Sequence, residues 1–266
     1  MSLNIDRILK SVRRVRKFLA KAPKNPPPEK IRDLRTSARR LEAAIEAFGL
    51  GSKRREKRLF RDLRQVRKRA GKVRDMDVFT GHLWGLPQQE DEKECVIELA
   101  EHLGVRRAKA AKRLRRTAKE LGPRLRAELK KGAKYFEKLL GRGQKKTDGA
   151  AEESSSEAMG RALELSSALR SPAHLDKRNL HPYRLKVKEL RYVLQLSDDP
   201  PKQQLVNKLG EVKDAIGEWH DWEGLIAIAT DVLSHGSRCN LLRALKATSE
   251  NKFERALALA NELRRT

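Results

Sequence analysis

One segment of this chain occurs twice, and each copy predicts a helix with cations along one face. Residues 31–46 and 180–195 align without gaps at an offset of 149, which pairs Arg35 with Arg184. At about 100° per residue, the second copy gathers its cations within an arc of roughly 80° and its apolar residues in a separate stripe. The cations are His181, Arg184, Lys188 and Arg191. The apolar residues are Tyr183, Val187, Leu190 and Leu194.

A second, shorter repeat supports an internal duplication. The segment Gly-Lys-Val-Arg-Asp-Met-Asp at residues 71–77 corresponds to residues 217–223 at an offset of 146. The two offsets agree within three residues, and the surrounding elements follow in the same order. Apolar residues recur at spacings of three and four, and no segment alternates as a strand would. We therefore predict an all-α fold of two bundle-like halves related by an internal repeat.

Proline and glycine positions predict where the helices begin and end. Pro28 suits the first position of the second helix. Gly71 is expected to interrupt the third helix, so that a short further helix follows it. The basic stretch at 90–140 is expected to form two or three helices, broken at Gly104 and at Gly122–Pro123.

The same reasoning divides the chain into halves. Residues 141–156 are rich in Gly, Ser, Lys and Glu and predict a mobile linker. The first helical half is then 1–140 and the second is 157–266. In the second half, one helix is expected to end before the segment 217–223, and a final helix pair is expected at 225–265.

The charge of the chain predicts an anionic partner. It carries 61 Lys and Arg against 36 Asp and Glu, a formal net charge of +25. Such a surplus repels itself unless a polyanion or an anionic surface compensates it. No apolar run reaches the ~18 residues of a membrane span, and no signal-peptide core opens the chain, so a soluble, unsecreted protein is expected. Cys95 and Cys239 stand far apart and are expected to be reduced, packed thiols.

The repeated segments resemble the signatures of a known family. His181-Pro-Tyr-Arg-Leu-Lys-Val-Lys-Glu-Leu-Arg-Tyr192 is similar to the second signature of the CHAD domain, the "conserved histidine α-helical domain". Arg35-Thr-Ser-Ala-Arg-Arg-Leu41 looks like the first signature, and 71–78 and 217–223 resemble a further short motif of that family. The resemblance covers about residues 3–262. It implies two four-helix halves around a basic central channel that binds inorganic polyphosphate, in a bacterial-type cytoplasm and associated with polyphosphate granules.

The resemblance also implies a set of binding residues. Two residues depart from the family pattern: Arg32 stands where a histidine is usual, and Glu42 stands where a basic residue is usual. Arg32 can still donate to phosphate, whereas Glu42 would repel a polyanion unless it pairs with a neighbouring arginine. The stripes of the two halves are expected to face each other. The expected polyphosphate-binding residues are Arg32, Arg35, Arg39, Arg40, Arg64, Lys68, His181, Arg184, Lys188 and Arg191.

Other functions stay open at this point. The row of cations also suits a nucleic-acid binder that contacts phosphates without reading bases. A metal-dependent hydrolase or phosphotransferase acting on polyphosphate would need clustered carboxylates. Asp75 and Asp77 are instead expected to act as caps or first-turn acids at a helix start, with Arg74 for pairing. We therefore expect a binding protein and no enzyme, with no cofactor and no bound metal.

Three tryptophans could stack on nucleic-acid bases, but packing between helices is the simpler expectation. These are Trp84, Trp219 and Trp222. Aromatic residues form only 5% of the chain, which argues against sequence-specific recognition of RNA because single-stranded readers need exposed stacking platforms.

Overall fold

The computed structural model describes residues 5–47, 54–87, 92–142, 160–194, 200–233 and 240–265. Within these ranges the fold is all-α and contains no strand, which confirms the predicted fold class. None of the described helices is long and apolar enough to cross a membrane. The helices are α1 (Ile5–Ala20), α2 (Pro28–Ala47), α3 (Arg54–Trp84), α4 (Lys93–Arg142), α5 (residues 160–170), α6 (Leu180–Leu194), α7 (Pro200–Val232) and α8 (Asn240–Arg265).

The chain forms two compact units, which are described separately. The first unit comprises α1, α2, α3 and α4 from Ala100 onward. The second unit comprises the beginning of α4, up to Leu99, together with α5 to α8. The expected linker at 141–156 lies outside the described residues except for the last two residues of α4. The channel and the pseudo-symmetry stay predictions.

The first unit is built on apolar stripes with helical spacing. In α1, Ile8, Val12, Val15 and Leu19 are all buried, because steps of three and four residues return to the same face. This face packs on α2, and α2 packs on α3. Each fully buried aliphatic side chain stabilises the fold by about 1.5–3 kcal/mol. Packing on one side of α2 and α3 leaves their opposite faces to carry the cations.

The second unit buries the apolar stripe predicted for its motif helix. Tyr183, Val187, Leu190 and Leu194 of α6 are at most 8% exposed, and α6 packs on α7. The Tyr183 hydroxyl donates to the carbonyl of Ala260 at 3.4 Å. Burial raises the pKa of Tyr183 to about 12. The register of α6 is therefore fixed by four packed side chains, and this register determines where its cations point.

The predicted break at Gly71 is wrong, because α3 is continuous from Arg54 to Trp84. Its buried positions continue through the glycine as Val66, Ala70, Val73 and Met76. The tertiary packing of this stripe outweighs the loss of about 1 kcal/mol that a glycine causes inside a helix.

The predicted breaks in the basic stretch are also wrong. Helix α4 runs unbroken over 50 residues and contains Gly104, Gly122 and Pro123. A Cβ placed at Gly122 would lie 3.2 Å from the carbonyl oxygen of Leu19. Gly122 therefore permits a close approach of α1 to α4 and does not end the helix.

Helix α7 is likewise longer than predicted. It continues through residues 217–223 to Val232, so a final helix pair from residue 225 does not form and only α8 follows. Gly217 is buried within it, against an arginine of α6.

Candidate polyanion site

Helix α6 begins in a turn closed by side chains. Asp176 Oδ1 accepts a hydrogen bond from the backbone N–H of Asn179 at 3.0 Å, and Asn179 Oδ1 accepts one from the N–H of Asp176 at 2.8 Å. The first helical residue is Leu180, so Pro182 occupies the third position. Proline is tolerated there because the first N–H groups of a helix have no partner within it. His181 lies in the first turn of α6.

Arg184 is held against the neighbouring helix by its own guanidinium. Its Nε donates to the backbone carbonyl of Lys213 on α7 at 3.0 Å. A Cβ placed at Gly217 would lie 2.6 Å from Arg184 Nη2 and 3.1 Å from Cζ. Only glycine leaves room for the guanidinium at this point. The glycine of the short repeated segment therefore serves an arginine of the long one.

Arg191 is anchored in the same manner two turns further along α6. Its Nε donates to the carbonyl of Val206 at 3.2 Å. A Cβ at Gly210 would lie 3.3 Å from that Nε. Lys188 lies on α6 between the two arginines and is half-buried. The result is a row of three cations on one helix, two of them held by backbone carbonyls of α7.

His181 contacts a second histidine at the start of this row. Its ring centroid lies 4.6 Å from that of His220 on α7. Desolvation lowers the pKa of His181, and the charges of His220 and Arg184 lower it further. Its Nδ1 is buried and has no hydrogen-bond partner among the described residues. His181 is therefore neutral at pH 7, and a bound anion would favour its protonated form.

In the first unit, Arg35 of α2 packs against α3 at a glycine. A Cβ at Gly71 would lie 3.9 Å from Arg35 Nε, which is an ordinary contact. Burial lowers the pKa of Arg35; Asp75 opposes this shift, whereas neighbouring cations add to it. Those cations are Arg74, Arg39 and Arg67. Four arginines thus share one region of α2 and α3, and a carboxylate moderates their repulsion.

Glu42, the acidic departure from the family pattern, is compensated. Both of its carboxylate oxygens accept from Arg67 Nε, at 2.7 and 2.9 Å. The two side chains are 10% and 17% exposed, so the pair is largely shielded from water. Glu42 was expected to repel a polyanion unless it pairs with a neighbouring arginine, and this pairing is present. Its charge also reduces the net charge of this face.

The structure separates the remaining predicted residues by exposure. Arg35 and Arg39 are half-buried, as are His181, Arg184, Lys188 and Arg191 in the second unit. The others are exposed: Arg32, Arg40, Arg64 and Lys68. Exposed cations keep their hydration and side-chain freedom, and contacts made by such groups are weaker than those of held ones.

Sequence reasoning missed four residues of these regions. They are Arg67, Arg74, Lys213 and His220. Arg67 and Arg74 flank Gly71 at spacings of four and three, and Lys213 and His220 flank Gly217 in the same way. Since i, i+4 and i+7 lie on one helix face, the glycine that receives the motif arginine also marks where the flanking side chains lie. That spacing could have identified them.

The acidic residues that suggested catalysis make structural contacts. Asp75 and Asp77 lie inside α3, in its last third, so their predicted position at a helix start is wrong. Asp77 accepts from Arg107 Nε at 2.5 Å, and Arg107 Nη2 donates to the carbonyl of Pro26 at 2.8 Å. Asp75 lies 3.7 Å from Arg74 Nη1, the pairing that the sequence suggested. Among the described residues, no group of three or more His, Cys, Asp and Glu side chains could hold a metal ion.

The tryptophans divide into two groups. Trp219 and Trp222 are buried, and the Trp219 ring lies 5.4 Å from that of Phe253, which confirms helix packing for both. Trp84 is 55% exposed at the end of α3, so the predicted packing between helices does not apply to it.

Of the two cysteines, Cys95 is buried, and Cys239 lies outside the described residues.

These features define an all-α protein in which half-buried cations of a motif helix are held against the next helix of the same unit. Residues 5–230 match the family model of the CHAD domain. The chain belongs to this family, which is associated with polyphosphate. A search of the curated proteins found no match to the chain.

Proposed function

We propose that this chain binds inorganic polyphosphate without catalysing a reaction on it. The binding surfaces are the basic face of α6 with α7 and the basic face of α2 with α3. The observation that carries the proposal is the anchoring of Arg184 and Arg191, whose Nε atoms donate to backbone carbonyls of α7. Membership of the CHAD family supports the choice of polyphosphate among polyanions.

Anchoring favours binding because it reduces the entropy that a cation loses on contact. A free arginine side chain loses up to about 2 kcal/mol of rotamer entropy when it is fixed. A guanidinium that is held at Nε has already lost part of this entropy. Planar N–H groups match phosphate oxygens better than a point charge does.

The order of charges along α6 suits a linear polymer. Arg184, Lys188 and Arg191 recur about once per turn, and one turn rises about 5.4 Å. A ligand with an anionic group on every repeating unit can contact all three, whereas a single phosphate cannot. Each neutralised phosphate releases counterions, so we expect the affinity to fall steeply with salt.

The test is a competition titration with the full chain. Labelled long-chain polyphosphate competes with duplex DNA and with tRNA at equal phosphate concentration and near-physiological salt. The variant Arg184→Ala with Lys188→Ala removes two cations of the row. The matched control is Lys186→Ala with Lys246→Ala, which removes the same charge from exposed positions of the same unit.

We expect polyphosphate to win by an order of magnitude or more. The site variant should lose most of this preference and the control variant should retain it. Equal competition by nucleic acid, or equal losses in the two variants, would refute the proposal and favour a generic basic surface that binds phosphate backbones.

A polyphosphate hydrolase or phosphotransferase is the alternative from another class. Asp77 is engaged by Arg107, and Glu223 accepts from the Ser249 hydroxyl at 2.6 Å, so both have structural partners.

If binding is the function, the chain should collect at polyphosphate granules in a bacterial cytoplasm, and fluorescence microscopy of a tagged chain would reveal this.

A further inference from the structure

A cavity of about 270 Å³ lies in the second unit, between α5, α6, α7 and α8, and no cation of the row on α6 lines it. Leucines from all four helices form its walls. Four of them are at most 9% exposed and belong to the hydrophobic core, and the fifth packs against that core. They are Leu169, Leu190, Leu205, Leu209 and Leu263. Half of the ten lining residues are therefore leucines, and together they form an apolar wall.

The charged residues at the cavity are all cationic. Arg170 of α5, Lys208 of α7 and Arg264 of α8 line it, and no acidic residue lines it among the described residues. Arg264 is held in place, since its Nη1 donates to Asn261 Oδ1 at 3.2 Å and its Nη2 donates to the carbonyl of Pro172. Its Nε is buried without a hydrogen-bond partner among the described residues. Unpartnered buried donors are rare and call for an acceptor.

A second cavity shows why this one is distinctive. It measures about 520 Å³ and lies between α3 and α4 in the first unit, with Leu59 and Leu125 in its wall. Asp62 and Glu128 line it beside its arginines, and Asp62 accepts from Arg124. Two carboxylates there offset two of the three arginines that line the cavity. The cavity in the second unit combines an apolar wall with three cationic residues, and its described lining contains no carboxylate.

We infer that the cavity in the second unit binds a small amphiphilic anion, namely a medium-chain carboxylate, with its alkyl chain against the leucines and its head group at Arg264 and Lys208. Ligand pockets typically combine an apolar lining with a few convergent polar groups. A volume of 270 Å³ equals about nine water molecules at about 30 Å³ each, which suits a chain of roughly eight carbons. Ser166 and Gln204 at the rim supply neutral hydrogen-bonding groups. This site is independent of polyphosphate binding.

The test is isothermal titration calorimetry of the full chain with butanoate, hexanoate and octanoate. Burial of each methylene is worth about 0.8 kcal/mol, so the affinity should rise roughly fourfold per methylene along the series. A purely electrostatic site would bind all three acids equally. Octylamine, which has the same chain and the opposite charge, should not bind.

Two variants locate the site. Leu205→Trp fills the cavity from a partly buried position, and Lys208→Glu reverses the charge at its exposed rim. Each should weaken octanoate binding at least tenfold. Lys246→Glu, an equal charge change at an exposed position of α8 outside the lining, should leave it unchanged. Circular dichroism of each variant checks that the helices persist.

Binding that does not depend on chain length, or equal effects of Lys208→Glu and Lys246→Glu, would overturn the inference. Full competition between octanoate and polyphosphate would overturn the independence of the two sites. Loss of octanoate binding in Leu205→Trp and Lys208→Glu, with polyphosphate binding intact, would support both the carboxylate site and its independence from polyphosphate binding.

Discussion

The variant Gly217→Ala tests whether the second-unit site works by holding Arg184 in place. The new Cβ would lie 2.6 Å from Arg184 Nη2 and 3.1 Å from Nε and Cζ. Real Cβ atoms do not approach that closely, so the guanidinium must move and its hydrogen bond to the carbonyl of Lys213 must break. No residue of the binding face changes its chemistry. The substitution alters only the position of one cation.

The stability of the fold should change little. Alanine is favoured over glycine inside a helix by roughly 0.5–1 kcal/mol. Against this stands the loss of one hydrogen bond from a charged group, about 1.5–3 kcal/mol when the acceptor is left buried and less when water reaches it. The atoms displaced are the far end of a flexible side chain and no backbone. We expect the free energy of unfolding to fall by about 1 kcal/mol, measured by urea denaturation.

Polyphosphate affinity should fall much more. A displaced Arg184 forfeits a charge-assisted contact worth about 2 kcal/mol, which is roughly thirtyfold in Kd. The loss of affinity in Gly217→Ala should match that in Arg184→Ala. The double variant with both substitutions should bind polyphosphate no more weakly than either single variant. Such non-additivity identifies two residues that act through one contact. Fluorescence anisotropy of labelled polyphosphate at fixed salt measures all three.

Gly71→Ala provides the matched control in the first unit. Its Cβ would lie 3.9 Å from Arg35 Nε, an ordinary contact, so Arg35 can stay where it is. This variant should gain roughly 0.5–1 kcal/mol of stability and keep its polyphosphate affinity. If Gly217→Ala binds normally, or if its effect adds to that of Arg184→Ala, the anchoring argument is refuted.

Three further outcomes follow from the contacts of single residues. Glu42→Gln breaks the shielded pair with Arg67, so it should lower the free energy of unfolding by about 2 kcal/mol, measured by urea denaturation. The same variant should raise polyphosphate affinity in a binding titration, because the charge of Arg67 is no longer neutralised. Because the pKa of His181 is lowered from its ordinary value of 6.5, the unfolded chain binds more protons below that pH, so native stability should fall there as pH falls. Polyphosphate favours the protonated form, so its affinity should rise over the same pH interval, and an NMR titration of His181 should show its pKa rising on binding. Asp77→Asn weakens the contact to Arg107, so it should lower the melting temperature and leave polyphosphate binding intact. If the native chain hydrolyses polyphosphate and this variant does not, the enzyme alternative is revived.

The helical faces and the start of α2 at Pro28 could be predicted from the sequence, but the role of the interior glycines could not. Apolar spacing identified the buried stripe of α6 because a period of 3.6 residues is a property of the helix itself. Gly71, Gly122 and Gly217 suggested breaks because glycine disfavours helices in isolated segments. In the fold each lies beside an atom of another helix, and the packing outweighs its propensity. Nothing local to these residues distinguishes a glycine that ends a helix from one that admits a neighbour.

The motif cations could be predicted from their spacing and from family resemblance. Their anchors could not, because the acceptors are backbone carbonyls. Any residue carries the carbonyl that Arg184 uses at Lys213 or the one that Arg191 uses at Val206, so the residue type gives no signal. Half-burial of Arg35 and Arg184 likewise depends on how closely the next helix approaches, which no single segment encodes.

The two repeated segments acquire one explanation when their contacts are considered together. In each unit the arginine of the long segment packs at the glycine of the short one: Arg35 at Gly71 and Arg184 at Gly217. Helical spacing then places a polar or charged side chain four residues before the glycine and another three after it, on the same face. In the second unit this contact requires the glycine, because a Cβ at Gly217 would lie 2.6 Å from Arg184 Nη2, whereas the first unit leaves room for a Cβ at Gly71. Both units therefore keep a contact between the two segments, and the proposed polyanion binding would use the cations that lie at this contact.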